Sequence, residues 1–274
     1  MPKKISIITP CYNAERFIGE TVESVVEQTA LSSKRVELEY IICDGDSTDK
    51  TVSIIESFGN SSIKIVSEPD SGIYDALSKG LRQATGDIIA YINAGDYYDK
   101  HAFDIVLDIF ETQKVTWLTG YRVYYSEKSY FIGVDLPFKY RSRFFACGFY
   151  GTTLPFVQQE STFWSSTLNE LIDYDDLSSF NYAGDFYLWF QFSRKHDLKI
   201  VKAYLGGFKI HKGQLSKDID AYKNELLSIS TRPKMNDYAL AAFDKLIGYA
   251  PTKIKKQLNK DGLFLYSHEL QEWV

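Results

Sequence analysis

Cysteine is scarce in this chain. Cys11, Cys43 and Cys147 are odd in number and lack metal-ligand spacing, which argues against a disulfide framework or zinc site and for buried thiols in a reducing cytoplasm. Long apolar runs are missing as well. Met-Pro-Lys-Lys leads into an apolar stretch at 5–9 that is far shorter than a signal-peptide core or a membrane span, so a soluble, intracellular protein is expected. Positive charge shows no surplus. The 31 Lys and Arg stand against 36 Asp and Glu, a formal charge of -5, whereas a nucleic-acid partner would demand a basic face. Neither Gly-x-Gly-x-x-Gly after the first apolar run nor Gly-x-x-x-x-Gly-Lys-Ser/Thr occurs, which removes the main support for dinucleotide and P-loop readings. Phosphates must then be held by other means. A divalent cation bridging diphosphate oxygens to carboxylates would suit an acidic loop at a strand end. There is no internal repeat and no low-complexity segment.

What is present is an alternation of strand and helix. Residues 5–9 form a short β-branched run ending in Pro10-Cys11-Tyr12-Asn13, where Asn13 can cap a helix with Phe17, Ile18, Val22, Val25 and Val26 at helical spacing. A second strand at 38–43 leads into Asp44-Gly45-Asp46-Ser47-Thr48-Asp49 and a helix through Val52, Ile55 and Phe58. Residues 63–66 read as a third strand, 73–84 as a helix and 88–92 as a fourth strand. Such repetition implies a mainly parallel sheet with right-handed crossovers and a ligand site at the carboxyl ends of its strands. After a helix near 101–110, residues 115–125 and 130–134 read as a hairpin turning at 126–129. Residues 137–155 are irregular and aromatic, in the manner of a working loop. A helix at 184–196 and a strand at 199–201 follow, and beyond Ser216 the chain reads as helical to its end, with breaks at Arg232-Pro233 and Ala250-Pro251. The 20 Tyr and 18 Phe exceed the needs of a core this size, and such rings suit sugars or a membrane interface as well as core and subunit contacts.

Polar residues gather at the four strand ends. The series Ile-Ile-Thr-Pro-Cys-Tyr-Asn-Ala at 7–14, Asp-Gly-Asp-Ser-Thr-Asp at 44–49, Asp-Ser-Gly-Ile-Tyr-Asp-Ala at 70–76 and Tyr-Ile-Asn-Ala-Gly-Asp at 91–96 resembles the family 2 glycosyltransferases of GT-A fold. Each piece alone is weak, but four in this order, each at a strand end, form a specific signal. The resemblance implies an α/β GT-A domain at 1–216, with a nucleotide-binding, Rossmann-like, mainly parallel sheet flanked by helices, and a helical C-terminal extension at 217–274.

It also implies roles. Thr9, Pro10 and Tyr12 would line the nucleotide base and Asp44 would accept a hydrogen bond from the base edge, while Ser71, Gly72, Asn93 and Ala94 complete the nucleotide-sugar site. Asp46 and Asp49 read more simply as caps of the next helix, and a calcium EF-hand is excluded by Asp49 and Ile55 standing where glycine and a bidentate glutamate are needed. Asp96 matches the last acid of the family's Asp-x-Asp signature, which holds Mn2+ or Mg2+ against the diphosphate, and contacts the donor as well. His211, in Lys209-Ile210-His211-Lys212-Gly213, matches a metal-binding histidine. Asp185, in Ala183-Gly184-Asp185-Phe186, matches the acid that begins a helix and serves as general base, although the family's common Glu-Asp pair is Gly-Asp here. An inverting transfer needs one such base, which takes the proton of the acceptor hydroxyl as that oxygen attacks the anomeric carbon. Gln158-Gln159-Glu160-Ser161 falls near the acceptor region by the same analogy, though Gln is common on any surface. Plainer roles stay open: a turn at 93–96 and an acidic helix start at Asp185.

Lys253, Lys255, Lys256 and Lys260 interleave with Ile254 and Leu258, a basic stretch that suits an anionic membrane surface but reads better as a solvated helix face packed on the catalytic domain. The expected activity is inverting transfer of a hexosyl or N-acetylhexosaminyl group from a nucleotide diphosphate, UDP before GDP, to a glycan or lipid-linked acceptor in surface polysaccharide assembly. The setting would be the cytoplasm or the inner face of the membrane, without nucleic acid; peripheral membrane contact and a homodimer stay open. A nucleotidyltransferase making nucleotide sugars is the enzymatic rival, but Pro10-Cys11-Tyr12-Asn13 is not its Gly-rich, basic phosphate loop. A non-catalytic sugar-nucleotide scaffold would have no use for Asp96 and Asp185 together.

Overall fold

The computed structural model describes residues 3–211, 214 and 218–274. Strand β1 (Lys3–Cys11) is buried from Ile5 onward, as expected of a central parallel strand covered on both faces. Between it and β4 (Ile88–Tyr91) come α1 (Ile18–Val26), α2 (Thr29–Ser32), β2 (Val36–Asp44), α3 (Thr51–Ser57), β3 (Ile63–Ser67) and α4 (Ile73–Leu81). The chain continues through β5 (Tyr97–Tyr98), α5 (Ala102–Thr112), β6 (Trp117–Thr119), β7 (Arg122–Ser126), β8 (Phe131–Asp135), α6 (Ser142–Ala146) and β9 (Thr162–Ser165). It closes with α7 (Tyr174–Ser178), α8 (Gly184–Ser193), β10 (Lys199–Val201), β11 (Gly206–Ile210), α9 (Ile219–Ser228), α10 (Met235–Gly248), α11 (Thr252–Leu258), β12 (Leu263–Phe264), β13 (Tyr266–Ser267) and β14 (Glu272–Trp273).

Eight strands form the main sheet in the order β12-β10-β6-β9-β4-β1-β2-β3, and only β9 runs antiparallel to its neighbours. A mainly parallel α/β sheet is therefore observed. Strand β1 has β2 on one side and β4 on the other, so successive connections leave it in opposite directions and open a crevice at the carboxyl ends of the strands. A smaller sheet, β5-β11-β7-β8, stands beside that crevice. Part of the aromatic surplus goes into packing, since Trp117, Trp164, Trp189 and Phe192 form one buried cluster around β6, β9 and α8. All three cysteines are free and buried, and burial pushes the Cys43 thiol up to about 12.

Several local expectations are corrected. Asn13 does not cap α1: it sits at φ 47 and its Oδ1 accepts the Thr48 N–H at 3.0 Å, tying two loops together. The N-cap of α3 is Lys50; Asp49, one residue earlier, accepts the Thr51 N–H at 2.9 Å, whereas Asp46 lies exposed at φ 64 in the turn. The strand expected at 115–125 breaks at Gly120, where an added Cβ would lie 2.7 Å from the Ala203 carbonyl. That close passage sends β6 into the main sheet and β7 into the smaller one, where β7 and β8 form the expected hairpin. The tail is not helical to its end: buried Leu263 and Phe264 extend the main sheet beside β10. Within the tail, Lys255 Nζ is buried on the Leu136 carbonyl and Lys256 Nζ reaches the carbonyls of Lys260 and Leu263, so half of the basic stretch turns inward. The boundary expected at 216, and Lys212 and Gly213 beside His211, fall outside the described residues. Among the described residues no helix is long and apolar enough to cross a membrane.

Candidate active site

The loops after β1, β2 and β4 and the segment before α4 converge at the crevice, but strand alternation decides which side chains they offer. Thr9 turns inward. It is 0% exposed and its Oγ1 bonds the Tyr40 hydroxyl at 3.0 Å, so the expected contact between Thr9 and a base is corrected to a bond inside the sheet. Pro10 is buried, while the Tyr12 ring is 62% exposed at the crevice edge. Asp44, 1% exposed, accepts the Ser47 N–H at 3.0 Å and the Ser67 hydroxyl at 2.6 Å on Oδ2, and its Oδ1 meets the Cys11 thiol at 3.8 Å. Its carboxylate thus stiffens the floor of this loop. Ser71 is exposed, with its N–H and hydroxyl both given to Asp75 at the start of α4. Gly72, at φ 137, brings the backbone beside Asn181.

At the end of β4, Asn93 and Asp96 part company. Asn93 lines the central cavity, and its buried Oδ1 has no hydrogen-bond partner. Asp96 faces the interior: it is 3% exposed, Oδ1 accepts the Lys209 N–H at 2.9 Å and Oδ2 accepts the Gln159 amide at 3.1 Å. Burial raises its pKa. Ala94 and Asp96 bridge within the same turn, and Gly95 at φ 115 supplies the left-handed backbone that turns Asp96 inward. The His211 ring stacks on Phe17 at 4.4 Å beside Gly95, where an added Cβ would lie 3.7 Å from Nε2. The position facing the imidazole thus carries no side chain. Among the described residues no three His, Cys, Asp or Glu side chains converge, and both Asp96 oxygens already take N–H donors. Both expected metal residues flank the Gly95 turn, and Asp96 also ties that turn to β11 and to Gln159.

The central cavity, about 390 Å³, lies between β4, the 156–160 segment, α8 and α9. Asp185 stands half-buried on its wall at the second position of α8. Oδ1 accepts the Phe186 N–H at 2.7 Å and faces the Tyr74 hydroxyl at 3.4 Å, while Oδ2 faces the Tyr222 hydroxyl at 3.4 Å. Burial outweighs these bonds and pushes the Asp185 pKa up to about 6. The helix start is itself held from below. The Glu225 carboxylate of α9 accepts the N–H groups of Asn181, Tyr182 and Ala183 at 3.0, 2.8 and 2.8 Å, satisfying donors that precede the helix. Gly184 is required there because a Cβ would run into the Tyr74 ring. That contact explains why Gly-Asp stands in place of Glu-Asp.

Sequence reasoning missed Tyr74, Tyr222 and Glu225 and discounted Gln159 and Glu160. Tyr74 lay inside a quoted motif without a role; Tyr222 and Glu225 come from α9 and carry no local signal. Because Ile219 and Tyr222 line the cavity, the C-terminal segment completes the site.

A sequence model described as Glycosyl transferase family 2 matches residues 6–164. The UDP-Glc:α-D-GlcNAc-diphosphoundecaprenol β-1,3-glucosyltransferase WfaP of Escherichia coli is 34% identical over 129 residues, 47% of this chain and 49% of the relative. Chondroitin synthase of Pasteurella multocida is 33% identical over 112 residues, 40% of this chain and 11% of the relative. The chain therefore spans less than half the length of these curated relatives. Among solved structures, TarS of Staphylococcus aureus in complex with UDP-GlcNAc superposes with TM-score 0.59 at 17% identity over 93% of this chain and 70% of that one. The mannosyltransferase PcManGT of Pyrobaculum calidifontis, in complex with GDP-Man and Mn2+, gives 0.56 at 14% identity over 96% and 74%. These likenesses show the GT-A fold. With its family model covering more than half of 274 residues, through the strand ends and into β9, the chain belongs to glycosyl transferase family 2.

Proposed function

We propose that this chain is an inverting glycosyltransferase that moves a hexosyl or N-acetylhexosaminyl group from a nucleotide diphosphate, UDP before GDP, to a hydroxyl of a glycan or lipid-linked acceptor in surface polysaccharide assembly. One observation carries the reading: the Asp185 carboxylate stands at a cavity wall between two tyrosine hydroxyls with its pKa raised to about 6. A base with that pKa is ionised at neutral pH yet still accepts a proton readily. The nucleotide lies over the carboxyl ends of β1 and β2 against Tyr12, and its sugar reaches into the cavity. The acceptor hydroxyl approaches Asp185, gives it the proton, and attacks the anomeric carbon from the face opposite the diphosphate, while the bond from that carbon to the diphosphate oxygen breaks and the nucleoside diphosphate leaves with the electron pair. Tyr74 and Tyr222 fix the carboxylate during that transfer, and Glu225 fixes the helix start. Nothing in this mechanism needs Asp96 to bind a metal. The UDP-sugars of WfaP and TarS support a UDP-sugar donor, and the diphosphoundecaprenol-linked acceptor of WfaP supports a lipid-diphosphate acceptor.

The test is donor hydrolysis and transfer with UDP-Glc, UDP-GlcNAc and GDP-Man by the wild type and Asp185→Asn. Loss of general-base catalysis should lower the rate by about two to four orders of magnitude while nucleotide affinity stays. An Asp185→Asn protein with undiminished turnover would overturn the assignment.

A further inference from the structure

Three residues of the cavity lining carry unpaired hydrogen-bond acceptors. Asn93 Oδ1, Gln159 Oε1 and both Glu160 carboxyl oxygens are buried and lack a partner, and all three residues line the cavity that holds Asp185. Glu160 is 0% exposed. The backbone of Gly206 passes directly behind it, leaving no room for a Cβ against the Glu160 carbonyl. The donors that would silence these acceptors point elsewhere: the Gln159 amide N–H is given to Asp96. Buried polar groups are nearly always paired, and an unpaired one costs desolvation without compensation. Four such oxygens in one cavity are a liability for folding alone. They make sense when a ligand brings the missing donors.

Position says which part of the ligand. Glu160 lies within electrostatic reach of Asp96, at the end of β4, and of Asp185 on α8. A transferred sugar must lie between the strand end that receives the nucleotide and the base that receives the proton. Glu160, Asn93 and Gln159 therefore face that sugar. We infer that these three side chains recognise the hydroxyl-bearing face of the transferred sugar, and that Glu160 is the specificity residue favouring neutral, hydroxyl-rich sugars over acidic ones. A neutral hexose or N-acetylhexosamine presents several O–H or N–H donors to four acceptor oxygens. Even with a proton on Glu160, one donor stands against those acceptors. A uronic acid would add lone pairs and a negative charge to a lining that already faces Asp96 and Asp185. Sites built for a substrate hydroxyl reject an analogue that cannot supply it.

This inference rests on the donor-binding reading above, and its test separates the two. Calorimetry compares UDP with UDP-Glc, UDP-GlcNAc and UDP-GlcA on the wild type, Glu160→Gln and Asn93→Ala; GDP and GDP-Man form a parallel pair in case guanosine is preferred. The wild type should bind at least one neutral nucleotide sugar about tenfold or more tighter than the bare nucleotide, the scale of one or two well-made hydrogen bonds, and UDP-GlcA no tighter than UDP. Glu160→Gln should keep the affinity for the bare nucleotide, lose most of the sugar increment, and narrow the discrimination against UDP-GlcA, because an amide donates to a carboxylate. Its melting temperature should hold or rise, since an unpaired buried carboxyl is removed. Asn93→Ala should lose a smaller part of the increment. A sugar increment unchanged in Glu160→Gln, preference for UDP-GlcA in the wild type, or a collapse in melting temperature would each overturn the assignment of Glu160. Failure of every nucleotide to bind would instead overturn the proposed function and the inference with it.

Discussion

Asp185 should be a residue that the protein is more stable without. Its pKa rises from the ordinary 3.8 to about 6 because burial disfavours the charged form more than Tyr74, Tyr222 and the Phe186 N–H favour it. A raised carboxyl pKa means that the folded state binds the proton more tightly than the unfolded chain. The sign follows from linkage: stability is highest below the unfolded value and declines as pH rises from about 4 to about 6, with the full penalty present above that. A shift of this size corresponds to about 3 kcal/mol, reduced to about 1–2 kcal/mol for a side chain that stays partly in contact with water. Asp185→Asn removes the charge and keeps the shape, so it should melt higher than the wild type at pH 8 by about 2–8 °C, at about 2–4 °C per kcal/mol for a chain of this size. At pH 4 the difference should nearly vanish. The transfer rate should show the same group in reverse: the wild type loses activity as pH falls through about 6, and Asp185→Asn is inactive throughout. Paired melts and rates at pH 4, 6 and 8 decide the matter. An Asp185→Asn protein that melts below the wild type at pH 8, or a wild-type rate flat from pH 5 to 7.5, would refute a buried base held at a stability cost.

Glu225→Gln should weaken the support of the α8 start, where three N–H groups converge on one carboxylate; loss of the charge should cost about 1 kcal/mol and lower kcat while nucleotide affinity measured by calorimetry is kept. A variant destabilised to that degree with unchanged kcat would leave Glu225 a structural cap with no positioning role. Asp96→Asn should lower the melting temperature, because an amide sets an NH2 group against either the Lys209 N–H or the Gln159 amide, at about 1–3 kcal/mol. The Mn2+ dependence of UDP binding should be the same in that variant as in the wild type. A normal melting temperature with lost Mn2+ dependence would make Asp96 a metal ligand.

The sheet was legible because its strands are continuous β-branched runs with polar residues at their ends, a pattern that burial on both faces imposes directly on β1 and β2. The two-residue strand β12 was not, since Leu263 and Phe264 are too few to show any period. In the site the division is sharper. A motif states where a residue lies along the chain, and it leaves open which way the side chain turns. Thr9 and Asp96 occupy the expected strand ends, yet one faces Tyr40 and the other is rotated inward by the left-handed Gly95. Asp185 was legible because an acid directly before an aromatic helix is a local pattern. What tunes it was not, because Tyr222 and Glu225 arrive from α9 by tertiary packing alone. Gly184 joins the two kinds of information. Read as sequence, it is the loss of an acid beside the base; in the fold, the Tyr74 ring occupies that space, with its hydroxyl 3.4 Å from Asp185 Oδ1. The glycine leaves room for the Tyr74 ring, and what stands beside the base is a hydrogen-bond donor and no second carboxylate. A second carboxylate beside Asp185 would push the base pKa up further, so a glycine at 184 and the hydroxyls of Tyr74 and Tyr222 keep Asp185 ionised near neutral pH despite its burial.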